Sequence, residues 1–234
     1  YNVENLFDTI DAPNKADEEF MPVEPKNWNT VRYQKKLSDI ARVISAIDSV
    51  NLPAIVGFCE VENDKVLIDL AAQSSIKNAN YKVVWKDGPD FRGIDCALLY
   101  NPAIFKFLLF ESLPVVNPDD PEFLTRDVLY VQGEIEDELF HVFVNHWPSR
   151  RDGEEVSEAK RVLAASIVRS KVDEIQANNE NANIIIMGDM NDEPNNVSLA
   201  QVLKAQPNKN PPENKQLVNL MYDDMENGVG SYNY

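Results

Sequence analysis

The chain has 234 residues, 44% of them hydrophobic and 26% charged, a composition typical of a globular protein with a substantial core. The 39 acidic residues outnumber the 22 basic ones, for a formal net charge of −17. A surface of that sign repels polyanions at long range and excludes tight non-specific binding of nucleic acid. No apolar stretch approaches the length needed to cross a bilayer, which excludes a transmembrane helix.

The first part of the chain predicts alternating strands and helices. It opens on a strand, "YNVEN", followed by a long polar loop over residues 9–29. Apolar residues then recur at spacings of three and four, which predicts an amphipathic helix over 30–49. The stretch "PAIVGFCEV" predicts a short buried strand, and Asn63 is placed to cap a second helix.

From Tyr81 to His146 the sequence predicts five strands. They are "YKVVW", "DCALLYN", "IFKFLLF", "RDVLYVQGEI" and "LFHVFVNHW", all rich in β-branched and aromatic residues. The stretch "EIEDELF" predicts a hairpin tip between the last two. A long helix over 154–177, the strand "NIIIMGD" and a weaker helix around 197–204 complete the order of elements.

Several of these strands are apolar on both faces, "HVFVNHW" and "IIIM" among them, so both faces must be covered. Two sheets packed face to face with helices outside each satisfy that requirement. The sequence therefore predicts an α/β fold, a two-sheet β-sandwich with helices on both sides in four layers, formed by one domain over 1–234.

The two cysteines, Cys59 and Cys96, each lie inside an apolar strand-like run. No disulfide framework and no zinc-ligand spacing is present, so we expect two buried free thiols. A single bridge stays open if the two strands are neighbours and the compartment is oxidising. The sequence does not identify the compartment, and it leaves open a signal peptide before Tyr1.

Polar residues cluster at four strand ends, where ligand sites often form. Carboxylate and amide oxygens are hard ligands that suit Mg²⁺ or Mn²⁺ better than zinc. An imidazole in such a cluster can donate to a phosphoryl oxygen near neutral pH, a carboxylate can orient a water, and arginines can offset substrate charge. These residues are Asn2, Glu4, Glu60, Asn145, His146, Asp189 and Asn191, with Arg150 and Arg151 just after "HWPS".

Five motifs, "YNVENLFD", "GFCEVEN", "RGIDCALLYN", "NHWPSR" and "MGDMND", together resemble the endonuclease/exonuclease/phosphatase family in order and spacing. The resemblance covers nearly the whole chain and implies that family's sandwich fold and its metal-dependent hydrolysis of phosphoesters. "NHWPSR" and "MGDMND" are its most specific parts.

The resemblance also implies roles for individual residues. Glu60 would be the principal ligand of Mg²⁺ or Mn²⁺, with Asn2 and Glu4 contributing directly or through water. Asp189 would activate the attacking water. His146 and Asn191 would contact the phosphate, and Arg92 and Asp95 would lie near the site. Apart from the resemblance, we expect Asn145, Arg150 and Arg92 to bind the substrate.

One departure from the family's pattern concerns the end of the chain. The family closes with a strand ending in Asp-His, and the only histidines here are His141 and His146. His141 is out of phase with His146, so it should face the other side of its strand as a core residue. We expect the sequence to be a truncated form whose last strands are missing, with a natural fragment lacking full catalysis as the alternative.

Two functions are consistent with these residues and this resemblance. The first is a magnesium-dependent phosphoesterase, acting as a phosphodiesterase, nuclease or phosphatase by in-line attack of water. The second is a non-catalytic interaction or scaffold module on the same fold. The substrate stays open among nucleic acid, a phospholipid head group and a small phosphoester, and we expect a monomer.

Overall fold

The computed structural model describes residues 1–23, 25–48, 50–208 and 215–230. It contains two compact units. The first comprises Tyr1–His146 and Ile184–Asp189, and the second comprises Trp147–Asn183 and the described part of Met190–Tyr234. The single domain expected from the sequence remains a prediction.

The first unit contains two four-stranded sheets. Sheet one has the order β1-β2-β4-β3, with β1 parallel to β2 and the other neighbours antiparallel. Sheet two has the order β5-β6-β7-β8, with β5, β6 and β7 antiparallel. The strands are β1 (Asn2–Leu6), β2 (Ile55–Val61), β3 (Lys82–Trp85), β4 (Asp95–Tyr100), β5 (Lys106–Leu113), β6 (Val128–Ile135), β7 (Glu138–His146) and β8 (Asn183–Asp189).

The two sheets share an apolar core. Val84 and Leu98 from sheet one cluster with Val131, Val142 and Val144 from sheet two, all nearly or fully buried. Burying such residues stabilises the fold by about 1.5–3 kcal/mol per side chain. This packing confirms the α/β sandwich predicted from strands that are apolar on both faces.

Two helices cover the other face of sheet one. Both α1 (Thr30–Ile47) and α2 (Asp64–Ala71) contribute to a core that includes strand residues such as Phe58. Asn29 caps α1 and Asn63 caps α2, each by accepting hydrogen bonds from backbone amides of the first turn. The predicted cap at Asn63 is therefore confirmed.

Three smaller predictions are also confirmed. Glu136 and Asp137 form the tip of the β6–β7 hairpin, both with positive φ as a tight turn of this kind requires. Cys59 and Cys96 are free, buried thiols on the neighbouring strands β2 and β4. His141 is buried, with its Nδ1 2.7 Å from the hydroxyl oxygen of Tyr130.

The second unit is built on a long helix, α3 (Glu154–Asn178). The weaker helix expected around 197–204 is a π-helical segment, Val197–Val202. Two short parallel strands and a last helix follow: β9 (Ala205–Gln206), β10 (Leu217–Val218) and α4 (Tyr222–Glu226). Among the described helices of the chain, none has the length and apolarity that spanning a membrane requires.

Candidate active site

Two carboxylates from different sheets converge on one side-chain amide in the first unit. Asn2 Nδ2 lies 2.9 Å from Asp189 Oδ2 and 3.3 Å from Glu60 Oε1. Asn2 lies on β1, Glu60 near the end of β2, and Asp189 is the last residue of β8. Two like charges held this close repel one another, so the position between them favours a hydrogen-bond donor or a cation.

His146 lies beside this pair at the end of β7. Its Nε2 is 3.8 Å from Glu60 Oε1, and its Nδ1 is buried with no hydrogen-bond partner among the described residues. Burial holds the pKa of His146 well below its ordinary value of 6.5, and the nearby Arg126 and Arg92 lower it further. The imidazole is therefore neutral at physiological pH, able to donate from one nitrogen and accept at the other.

The strands that carry these residues meet at the backbone of Asn145. The Cys59 thiol of β2 donates to the Asn145 carbonyl oxygen across 3.0 Å, and the Asn145 side chain donates to the carbonyl of Met187. A Cβ placed on Gly188 would overlap that same Asn145 oxygen, and Gly188 has a φ of +132°. Only glycine permits this approach, so "MGD" needs its glycine for geometric reasons.

Left-handed backbone conformations occur at three of the expected site residues. Glu4, Glu60 and Asn191 have φ values of 53°, 66° and 51°. Such conformations cost on the order of 1–3 kcal/mol each and tend to gather at functional sites. Glu4 acts through its backbone here, because its amide donates to Asn2 Oδ1 and its carbonyl accepts from Lys36.

A buried aspartate links two arginines on the His146 side of the unit. Asp90 Oδ2 accepts from Arg126 Nη1 at 3.0 Å, while Asp90 Oδ1 accepts from the Arg92 amide and lies 3.6 Å from Arg92 Nε. Arg126 lies just before β6. When the β6–β7 pairing is continued by two residues, Asp127, the residue after Arg126, comes opposite His146. The arginines thus place fixed positive charge near the neutral imidazole.

Asp95, at the start of β4, is buried beside the loop that carries Asp90 and Arg92. Burial raises the pKa of its carboxyl to about 7, opposed by a hydrogen bond from the backbone of Gly88. Its Oδ2 is buried without a partner among the described groups. Asp95 is therefore partly protonated at neutral pH, unlike an exposed aspartate.

The second unit holds Asn191 in a separate polar network. Asn191 Nδ2 donates to the Trp147 carbonyl oxygen, and Arg150 Nε donates to the Asn191 carbonyl oxygen, both at 2.9 Å. Asp192 pairs with Arg150 and with the fully buried Arg161. Arg150, expected to contact substrate, is thus engaged with the chain's own backbone and carboxylate.

Sequence reasoning missed several residues that shape these two clusters. Arg126 carried a detectable signal, a cation just before a buried strand that pairs with the His146 strand. Arg161 carried none, because a single arginine in a helix resembles a solvated side chain. The others missed are Asp90, Lys36, Gly188 and Asp192 in its structural role.

The donor set in the first unit fits a hard divalent cation. In the parts of the chain that the structure describes, no three His, Cys, Asp or Glu side chains are grouped as a complete ligand set. Glu60 and Asp189 nevertheless offer two carboxylates around the Asn2 side chain, and the Asn2 oxygen keeps a second lone pair besides the one that accepts from the Glu4 amide. Those are the ligand types that Mg²⁺ and Mn²⁺ prefer.

The chain belongs to the Endonuclease/Exonuclease/phosphatase family, whose model matches residues 1–234. This membership confirms the family suggested by the five sequence motifs. No curated protein matches the chain.

Solved structures show the same fold. Truncated TDP2 from Caenorhabditis elegans aligns with a TM-score of 0.52 at 17% identity, over 70% of this chain and 58% of its own. The catalytic domain of human Nocturnin, with bound sulfate, gives 0.55 at 19%, over 72% and 61%. ANGEL2, described as a 2′,3′-cyclic phosphatase, gives 0.54 at 16%, over 69% and 45%. The chain thus spans less than two thirds of each of these structures.

The raised pKa of Asp95 predicts a pH-dependent cost to stability. In the unfolded chain the carboxyl ionises near 3.8, whereas in the fold it stays protonated up to about 7. The contribution of Asp95 to the free energy of unfolding is therefore fully present below pH 3.8. Between pH 3.8 and about 7 that contribution falls by about 1.4 kcal/mol per pH unit. We expect Asp95→Asn to be more stable relative to wild type at about pH 7.5 than at about pH 5, measured by urea denaturation.

The exposed Asp119 supplies the control for that experiment, since Asp119→Asn should show no comparable pH dependence. An equal stability difference at both pH values for Asp95→Asn would show that its carboxyl ionises normally in the fold.

The buried pairing of Asp192 predicts a large loss of stability. The side chains of Asp192 and Arg161 are 1% and 0% exposed, so Asp192→Asn leaves a buried guanidinium without its carboxylate. Breaking a buried pair in this way costs about 3–5 kcal/mol. Thermal and urea denaturation measure it, with Asp39→Asn in the exposed Lys35–Asp39 pair as a control that should change little. A loss no larger than that of the control would contradict the assignment.

Proposed function

We propose that this protein is a divalent-metal-dependent hydrolase that cleaves phosphoester bonds by in-line attack of water. One observation carries the proposal: Glu60 and Asp189, from two different sheets, converge on the Asn2 amide beside the neutral His146. Family membership supports the same reaction class. Nothing in the comparisons supports the alternative of a non-catalytic module.

Glu60 and Asn2 would hold the Mg²⁺ or Mn²⁺ ion, with Glu4 contributing through water. When bound, the ion supplies Lewis-acid polarisation of the phosphoryl oxygen and stabilises the leaving oxygen. The left-handed backbone at Glu60 aims its carboxylate out of the sheet edge toward Asn2 and Asp189. The backbone amide of Glu4, a residue with a left-handed conformation, donates to Asn2 Oδ1 and so fixes the Asn2 side chain.

Asp189 would orient the attacking water and accept its proton. Its carboxylate is held by the Asn2 amide, and the close contact between Gly188 and Asn145 fixes the backbone just before it. Such positioning is the main contribution that a protein makes to phosphoryl transfer.

His146 would donate a hydrogen bond to a phosphoryl oxygen. A neutral imidazole still donates from one ring nitrogen, and its burial strengthens a hydrogen bond made to developing charge. Arg92 would contribute positive charge from the same side. Asn191 would contact the phosphate from the "GDMND" segment, and Asn145 is a further substrate-contact proposal.

The substrate class is tested best by a panel. Nucleic acid, phospholipid head groups and small phosphoesters all carry the group that this site would bind, and the −17 net charge disfavours non-specific DNA binding. ANGEL2, a structural neighbour, is described as a 2′,3′-cyclic phosphatase, which supports placing nucleotide phosphoesters first. The panel is DNA, RNA, 2′,3′-cyclic nucleotides, bis(p-nitrophenyl) phosphate, sphingomyelin and inositol phosphates, each with Mg²⁺.

Glu60→Gln tests the metal assignment. The change keeps the shape of the side chain but removes the charge that attracts a divalent cation, so we expect most of the Mg²⁺ dependence to disappear while the fold is retained. The measurement is a Mg²⁺ titration of hydrolysis, with circular dichroism as a check on folding. Glu138→Gln, at an exposed position on β7, is the control. An unchanged Mg²⁺ titration in Glu60→Gln would rule Glu60 out as the main ligand.

His146→Ala and Asp189→Asn test the two reacting groups together. Each should lower kcat by about 10²–10⁴-fold, the range typical of losing an acid–base group or a transition-state donor. Because both would act on one transition state, the double variant should lose much less than the product of the two single losses. Independent, multiplying losses would show that at least one of them acts only through folding.

A further inference from the structure

A buried polar network fixes the loop that carries Asn191 in the second unit. The carboxylate of Asp192 is at its centre, with its side chain only 1% exposed. Oδ1 lies 3.2 Å from Arg150 Nη2 and 2.7 Å from Arg161 Nε, the latter with the geometry of an ion pair rather than a hydrogen bond. Oδ2 accepts a hydrogen bond from the hydroxyl of Ser198 at 2.5 Å.

Arg161 joins this network to helix α3. Its Nη1 donates to the Ser157 hydroxyl at 2.6 Å, and its Nη2 donates to the Glu154 carbonyl at 3.1 Å. Arg161 is therefore held near the start of a 25-residue helix, where its backbone neighbours are rigid. Asp192 is thereby anchored to a regular element rather than to another loop.

Arg150 links the anchored Asp192 carboxylate to the backbone of Asn191. Its Nε donates to the Asn191 carbonyl oxygen at 2.9 Å, and its Nη2 also donates to Asn196 Oδ1 at 2.8 Å. The same Asn196 oxygen accepts from the Glu193 amide, which closes the loop on itself. One planar guanidinium therefore contacts Asn191, Asp192 and Asn196 together, a geometry that a lysine cannot reproduce.

The loop needs such support because Asn191 has a left-handed backbone, with a φ of 51°. That conformation is disfavoured for a residue with a side chain and persists only where its surroundings hold it. With the backbone fixed, the Asn191 side chain is oriented by its donation to the Trp147 carbonyl oxygen.

We propose that Arg150 is a positioning residue, whose guanidinium, anchored by Asp192 and Arg161, fixes the backbone of Asn191 so that its side-chain amide is aimed for phosphate contact. The part of this that concerns phosphate rests on the proposed function. It assigns the arginine of "HWPSR" a different role from direct contact with substrate, since its donors already hold Asn191, Asp192 and Asn196.

The test combines hydrogen exchange with steady-state kinetics on Arg150→Met, Arg150→Lys and Arg151→Met in the complete protein. Arg151 is the matched control, because it is the adjacent arginine and is exposed. In Arg150→Met, the backbone amides of residues 191–193, 195 and 196 should exchange at least about tenfold faster, because their restraint is lost. With bis(p-nitrophenyl) phosphate and Mg²⁺, kcat should fall about 10–100-fold while KM changes less than about threefold. Arg151→Met should match wild type in hydrogen exchange, which separates loss of the Arg150 contacts from loss of one positive charge.

Arg150→Lys is the more conservative variant, so it tests the Arg150 contacts even where Arg150→Met does not fold. It retains a positive charge for Asp192 but cannot contact Asn191 and Asn196 together, so exchange should still rise, by less than in Arg150→Met. Unchanged exchange in both variants with a raised KM would overturn the proposal and assign Arg150 to the substrate. Faster exchange in a protein whose wild type hydrolyses no phosphoester would support the positioning contact while rejecting the proposed function.

Discussion

The close meeting of three strands at the backbone of Asn145 is the constraint on which the candidate site depends. Cys59 donates to the Asn145 carbonyl oxygen from one sheet, and Gly188 approaches the same oxygen from the neighbouring strand of the other. Each of these three residues directly precedes a site residue along the chain. Glu60, His146 and Asp189 are thus brought together by a contact one residue earlier. A side chain at Gly188 would displace the backbone that carries Asp189, and the proposed chemistry depends on the position of that carboxylate.

Charge is distributed around that meeting point in a way that suits a phosphate. The two converging carboxylates favour a cation between them. On the other side, burial holds the pKa of His146 low, and the nearby Arg126 and Arg92 lower it further. A phosphoester could therefore meet a cation on one side and a neutral donor with nearby arginines on the other. This local arrangement supplies an attraction for phosphate that a chain of net charge −17 lacks at long range. Salt screens such buried and partly buried charges only a little.

Much of the fold, and the grouping of the candidate site residues, follows from the sequence for physical reasons. Strands that are apolar on both faces require two covered sheets, and polar residues at the ends of such strands have to lie near one another at an edge. Glu60, Asp189 and His146 were predicted to lie together on this basis, and the structure brings them together, while their roles stay predictions. The Asp192–Arg161 pair was not predicted, because each residue taken alone resembles an ordinary surface charge. The shifted pKa of Asp95 depends on burial that follows only from the packed loop around it.

The sharpest experiment is Mn²⁺ binding followed by NMR, because the proposed mechanism requires Glu60 and Asn2 to hold a hard divalent cation beside Asp189. Paramagnetic Mn²⁺ broadens resonances of nuclei close to it, so the side-chain amide signal of Asn2 reports on this position without any assumption about substrate. We expect substoichiometric Mn²⁺ to broaden the Asn2 amide first and Mg²⁺ to reverse the effect. Broadening confined to exposed acidic loops such as 118–122, with the Asn2 signal intact, would contradict the proposed cation site.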